Sequence, residues 1–178
     1  MTAVAQMSPH IHLIEGPVGA GKSTFAKAMA THSPCVHIAL DEWFARLFSP
    51  DRPDGDVTSW YIQHKHRLVD LIWDHAQSVI AAGSNVALEL GLIQRRARLD
   101  FYQRVESSAL DFTVHVLDAP LDLRRQRVQL RNQDRGPTFS MVVPEHIFEI
   151  ASRMWEPPDE FELETYPLIL VDTSAEAK

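Results

Sequence analysis

His10–Glu15 (HIHLIE) runs directly into Gly16-Pro-Val-Gly-Ala-Gly-Lys-Ser23, and an amphipathic stretch to His32 follows. The eight residues satisfy G-x-x-x-x-G-K-[ST] at every fixed position, between an apolar strand and a helix as that motif requires. Glycines let the backbone bend so that successive N–H groups converge on phosphate oxygens. The positive end of the helix dipole adds to the attraction. Gly16, Pro17, Val18, Gly19, Ala20, Gly21, Lys22, Ser23 and Thr24 are therefore the candidate nucleotide cradle. Lys22 is placed to reach the β- and γ-phosphates of ATP, and Ser23 to ligate Mg²⁺. The alternative is a glycine-rich turn without a ligand.

Four more short apolar runs follow: Cys35–Leu40, Asn85–Leu90, Phe112–Asp118 and Leu168–Asp172. Several are nearly continuous in apolar character, as strands covered on both faces are. Between them lie helical patterns at Gly21–His32, Asp41–Phe48, Val57–Ala82, Gln94–Ser107, Pro120–Asn132 and Pro144–Trp155. Alternating strands and helices predict an α/β fold, a five-stranded parallel sheet with helices on both faces. Ligands of such sheets bind at the carboxyl ends of the strands.

The length of 178 residues suits one domain. Residues 1–8 read as a disordered tail and 9–178 as a single domain. With 17 basic and 24 acidic residues the net charge is −7, which weighs against a non-specific nucleic-acid binder. A single cysteine, Cys35, excludes an internal disulfide and suits a reducing compartment. No apolar run approaches the roughly 20 residues of a membrane span, and no signal peptide opens the chain. A cytoplasmic protein without a membrane association is expected.

After the second strand, VHIALDE (Val36–Glu42) ends in two acids, only about 18 residues beyond Lys22. An acid there suits a base beside an incoming hydroxyl, or a Mg²⁺ ligand. Asp41 is the first candidate and Glu42 the second; the alternative is that Asp41 only caps the next helix. After the third strand, Glu89 needs a partner. Mg²⁺ or its water, a substrate group, or an ion pair with a neighbouring arginine would serve. Arg95 and Arg96 open a helix beside that position, and Arg95 is a candidate substrate contact. Arg98 and Arg104 read as a solvated helix face.

Arg124, Arg125, Arg127, Arg131 and Arg135 place five of the 17 basic residues within 12 positions. Arg127 and Arg131 share a helix face and suit the charge on a transferred phosphoryl group. Asn132–Val142 reads as a mobile loop, so about 124–142 forms a candidate lid. Trp43, Phe44, Phe48, Trp60 and Tyr61 suit either an acceptor pocket, with Trp43 and Trp60 as contacts, or plain core packing. His64 and His66 lack zinc-ligand companions. Glu156–Glu164 reads as a solvated acidic turn. Asp172-Thr173-Ser174 lies where a nucleobase is expected.

IEGPVGAGKST (Ile14–Thr24), LDEW (Leu40–Trp43), LELGL (Leu88–Leu92), LDAP (Leu117–Pro120), the R-x-x-x-R-N of Arg127–Asn132 and WEPPDE (Trp155–Glu160) resemble a family of small P-loop kinases. Its members are described as AAA-type ATP-binding proteins and are similar to chloramphenicol phosphotransferase and the zeta toxins. The resemblance implies a three-layer P-loop NTPase fold with an arginine-bearing lid. It also implies ATP and Mg²⁺ as cofactors, and phosphoryl transfer to the hydroxyl of a small-molecule acceptor. Lys22, Asp41, Arg127 and Arg131 would be catalytic, with Ser23 and Asp41 at the metal. Two other readings are an ATPase or switch acting through a protein partner, and a nucleoside or nucleic-acid end kinase.

Overall fold

The computed structural model describes residues 8–32 and 34–176; most of the expected tail falls outside them. Strands β1 (Ile11–Glu15), β2 (Cys35–Ala39), β3 (Asn85–Glu89), β4 (Phe112–Asp118) and β5 (Leu168–Asp172) form one parallel sheet in the order β2-β3-β1-β4-β5. Each agrees with its expected strand to within one residue. The helices are α1 (Lys22–His32), α2 (Leu40–Leu47), α3 (Val57–Ala81), α4 (Arg95–Ser107), α5 (Leu121–Asp134), α6 (Glu145–Met154) and α7 (Glu160–Thr165).

The near-continuous burial of β1 follows from its central place. Ile11 and Leu13 pack into the larger core with Phe44 of α2, Leu68 and Ile72 of α3 and Phe101 of α4. Ile14 packs on the other side with Ala26 of α1, Ala87 and Leu117. Alternate residues of one strand thus feed two cores, which makes three layers. The sheet order splits between β1 and β3, so the carboxyl end of β1 opens a crevice where its loop departs.

The acidic turn after α6 contradicts its surface reading. Asp159 caps α7 in a reciprocal capping box with Glu162, and Glu162 is fully buried. Its carboxylate takes Arg98 in a two-pronged pair, Nε to Oε1 at 2.7 Å and Nη2 to Oε2 at 2.9 Å. Arg98 is also fully buried, and its Nη1 donates to the Glu156 carbonyl at 2.7 Å. Arg98 is therefore an internal tie between α4 and α7, not a solvated charge. The reason is geometric: Arg98 shares α4's inner face with Phe101, Tyr102 and Val105, and a buried guanidinium is tolerated only when its fork is filled. Arg104 keeps to the periphery, donating to Asp70 at 2.6 Å.

Glu15, the last residue of β1, is the second acid of this cluster. Tyr102 donates to its Oε2 at 2.7 Å, and Arg98 Nε lies 3.8 Å away. Arg98 is already neutralised by Glu162, so an ionised Glu15 adds an uncompensated buried charge. Burial raises its pKa to about 8 against smaller opposing effects of Tyr102 and Arg98.

A sign follows for stability. Unfolded Glu15 loses its proton near 4.5, and native Glu15 keeps it to about 8. Between those values the native state binds more protons, so this group's contribution to stability falls as pH rises. The slope is at most about 1.4 kcal/mol per pH unit. Glu15→Gln preserves the neutral shape, and urea unfolding from pH 5 to pH 8 is expected to show its stability advantage over wild type widening with pH. Parallel profiles would refute the protonated Glu15.

Candidate functional site

The loop after β1 turns where only glycine fits. Gly16 has φ +137°, and a Cβ there would stand 2.2 Å from the Leu117 carbonyl oxygen. Gly19 has φ +80°, with the Arg124 carbonyl oxygen 2.5 Å from a Cβ. Arg124 is a buried prop for this loop. Its Nη1 donates to the Val18 carbonyl at 3.1 Å and its Nε to Ala119 at 3.0 Å. Among the described residues no backbone carbonyl accepts from the amides of Gly19, Gly21, Lys22 or Ser23. These orphan donors at the N-terminus of α1 are what an anion satisfies.

A cleft of about 270 Å³ lies over the loop, lined among others by Lys22, Ser23, Glu89, Arg127, Arg131 and Thr138. Lys22 Nζ donates to the carbonyls of Gly16 and Pro17 at 3.0 and 2.9 Å. Ser23 Oγ donates to Glu89 Oε1 at 3.1 Å. His37 Nε2 is 3.4 Å from Glu89 Oε2, and that buried oxygen makes no hydrogen bond. The partner of Glu89 is therefore not an arginine. Arg95 is drawn away from the cleft to Asp159, Nε to Oδ2 at 2.5 Å, because α7 presents that acid beside it. Burial drives the Glu89 pKa up, but His37, Lys22 and Ser23 outweigh it and hold the carboxyl below its usual range.

Asp41 stands in the first turn of α2. The cap position belongs to Ala39 and no side chain caps the helix, so the capping alternative fails. Its carboxylate makes no hydrogen bond among the described residues and stays open to solvent. It nevertheless sits among protein on several sides, and desolvation followed by the charge of Glu89 raises its pKa; Lys22, Lys65 and Arg131 act against this. Glu42, the second candidate, is committed to Arg46 at 2.8 Å on the surface.

The arginine segment divides. Arg131 Nε is buried without a hydrogen-bond partner, beside the cleft. Arg127 Nη1 and Nη2 donate to Thr173 Oγ1 and carbonyl at 3.0 and 2.6 Å. The Thr173 hydroxyl in turn lies 3.0 Å from the Ala20 carbonyl and 3.1 Å from that of Asp118. Arg127 is thereby bound to the corner after β5 and, through it, to the loop. Arg125 meets Asp122, Glu145 and Glu149 on the outside. In the loop expected to be mobile, Asn132 exchanges two hydrogen bonds with Val143, and Lys27 donates to the Pro137 carbonyl. Trp43 and Trp60 pack against the core, Trp60 edge-on to Phe44 at 5.5 Å, which fits the packing alternative. Sequence reasoning missed Lys65, His37 and the tie through Thr173.

No group of three His, Cys, Asp or Glu side chains among the described residues forms a metal cage. Mg²⁺ at phosphoryl-transfer sites needs none, since it takes one or two protein oxygens and completes its shell with phosphates and water. The Ser23 hydroxyl and the unpartnered Glu89 Oε2 fit that demand.

Comparison with known proteins gives consistent findings. The model of the AAA domain family matches residues 11–158. No curated protein matches the chain. Among solved structures, a candidate kinase of Chloroflexus aurantiacus is similar at 17% identity and a TM-score of 0.67, over 95% of this chain and 87% of that one. A gluconokinase of Sinorhizobium meliloti is similar at 19% identity and TM-score 0.55, covering 93% and 83%. A chain of the Pnkp1/Rnl/Hen1 RNA repair complex is similar at 20% identity and TM-score 0.61, over 82% of this chain. This chain spans 43% of that larger one. At these identities the likeness is one of fold.

The Thr173 hydroxyl gives a test of the site's construction. Thr173→Val keeps the shape but removes the group shared by Ala20, Asp118 and Arg127. It is expected to destabilise the protein by about 1–3 kcal/mol in denaturant and to speed amide exchange in residues 18–24. Unchanged exchange there would show that the loop is held by other means.

Proposed function

The chain belongs to the AAA domain family, and from that premise we propose that it transfers the γ-phosphoryl group of ATP to a hydroxyl of a small-molecule acceptor. The observation that carries the reading is a pair of acids with opposed environments, both within the field of Lys22. Glu89 is engaged by Ser23 and held below its usual pKa. Asp41 is unbonded, solvent-reachable and held above its own. Two carboxylates pushed apart in this way suit two roles, an ionised metal-side group and a proton acceptor.

In this reading the loop amides and Lys22 hold the β- and γ-phosphates, and Arg131 turns its unpartnered Nε to them. Ser23 and Glu89 would hold Mg²⁺, which neutralises phosphate charge when bound. Asp41 takes the proton of the acceptor hydroxyl as its oxygen forms a bond to the γ-phosphorus and the bond to the leaving ADP oxygen breaks. The placing of Asp41 with Ser23 at the metal, expected from sequence, gives way here to Glu89, because Glu89 and not Asp41 meets the Ser23 hydroxyl. Arg127 serves as a positioning residue through Thr173. The negative net charge and the short run from Lys22 to Asp41 weigh against the nucleic-acid and motor readings.

Asp41→Asn separates base from ligand. It keeps size and polarity but cannot accept the proton, so acceptor-dependent ADP formation is expected to fall by roughly 10²- to 10⁴-fold. ATP affinity by calorimetry is expected to stay within a few-fold, whereas Lys22→Ala is expected to lose both turnover and tight nucleotide binding. Wild-type turnover in Asp41→Asn would overturn the base. Equal ADP formation with and without a broad set of acceptors would replace the kinase with an ATPase.

A further inference from the structure

Behind Asp41, the α3 residue Lys65 points its ammonium at the end of β3. Nζ donates to the Gly91 carbonyl at 2.8 Å. Gly91 has φ +61°, and a Cβ there would be in ordinary contact with Nζ at 3.8 Å. Among the described residues, one contact leaves two of the three ammonium protons without a protein acceptor. Among the described residues no carboxylate oxygen comes within 4.0 Å of this Nζ, although Lys22, Asp41 and Glu89 all lie around the same strand ends. Lys65 is only partly exposed. A cation partly drawn out of water with no acid in salt-bridge contact is costly, and an anionic group on a bound ligand would offset that cost.

The place of Lys65 narrows what that anion is. The phosphates of ATP are met by the loop, Lys22 and Arg131 on the α1 and α5 side of the cleft. Lys65 comes from α3, beyond Asp41, and the charges of Lys65 and Asp41 act on one another. Tyr61, one turn earlier on α3, is also within the field of Asp41 and packs on Phe44 at 4.9 Å between ring centroids. Ala39 pairs with Glu89 across β2 and β3, so Asp41 and Gly91, each two residues further on, leave neighbouring strand ends, and the ammonium held on Gly91 stands at the same edge as Asp41. We infer that the acceptor is an anionic hydroxyl compound, whose carboxylate or phosphate group is bound by Lys65 while its hydroxyl faces Asp41. This rests on the phosphotransferase reading above and names the acceptor class for that site. A neutral acceptor would leave the ammonium as unpaired as the protein does.

The test uses matched pairs differing only in the anion: gluconate against sorbitol, glycerate against glycerol, and ribose 5-phosphate against ribose. With ATP and Mg²⁺, wild-type kcat/KM is expected to favour an anionic member at least about 30-fold, the worth of a hydrogen bond to a charged group. Carboxylate and phosphate pairs tell the two sources of charge apart. Lys65→Met, near in length and without charge, is expected to raise KM for the favoured acceptor by a similar factor. Its KM for ATP should stay within a few-fold, and its preference should collapse. Lys65→Arg is expected to recover part of it. A neutral member favoured by the wild type, or a preference untouched in Lys65→Met, overturns the anionic acceptor while leaving the kinase standing. ADP formation indifferent to every acceptor overturns the kinase and this inference with it. The wild-type ratio decides the question even if a variant fails to fold.

Discussion

The carboxyl edge of the sheet depends on the space for a single hydrogen atom at Gly16. Any side chain there would meet the Leu117 carbonyl at 2.2 Å, a main-chain group of β4 paired with Val171 of β5. The same exclusion repeats at Gly19 against Arg124. These two contacts press the loop flat against β4 and the start of α5, and so dictate where α1 begins and where its free amides point. Arg124 and Thr173 then fasten the loop from either side. The cradle is thus the place where β1, β4, α5 and the corner after β5 meet, and each of its ties is to backbone.

What the sequence disclosed and what it concealed separate along physical lines. The loop and all five strands were legible because their signals are local: a glycine pattern fixed by φ, and apolar runs fixed by burial on two faces. The helices from α1 to α6 were legible by period to within about two residues at either end. Arg98 and Glu162 were not. They are 64 positions apart, and each alone reads as a charge that belongs in water. Only the fold shows that each is the other's solvent. A signal was present in the i, i+3 spacing of Asp159 and Glu162, the two acids of a capping box, which argues for a helix where a turn was expected.

The site divides in the same way. Asp41 was legible because a strand end after a phosphate loop is a place of contact for ligands. Its freedom from capping was not, since helix propensity does not say that α2 would start one residue early, at Leu40. Arg127 and Arg131 share a helix face as their spacing demands, yet their surroundings differ. Thr173 lies beside one and not the other, so one arginine builds the site and the other retains an unmade hydrogen bond. Lys65 was hidden between two histidines on a long amphipathic helix, and periodicity says nothing of what a half-turned lysine meets across 26 residues.

An acidic chain with a cationic site is a consequence of the same geometry. The net charge of −7 is spread over surfaces such as the α5–α6 network around Arg125. At the strand ends the balance reverses, because Lys22 of α1, Lys65 of α3, and Arg124 and Arg131 of α5 gather around the carboxyl edge of the sheet. Two acids remain there, and each has a cost to justify. Glu89 is held ionised by Ser23, Lys22 and His37, so its charge is already spent on the side where a cation is wanted. Asp41 has no such partner, and its proton affinity is raised first by burial and then by the charge of the neighbour that has one. In the proposed reading, the ionised state of Glu89 would therefore help Asp41 to act as the base, and the two roles would arise from one electrostatic arrangement.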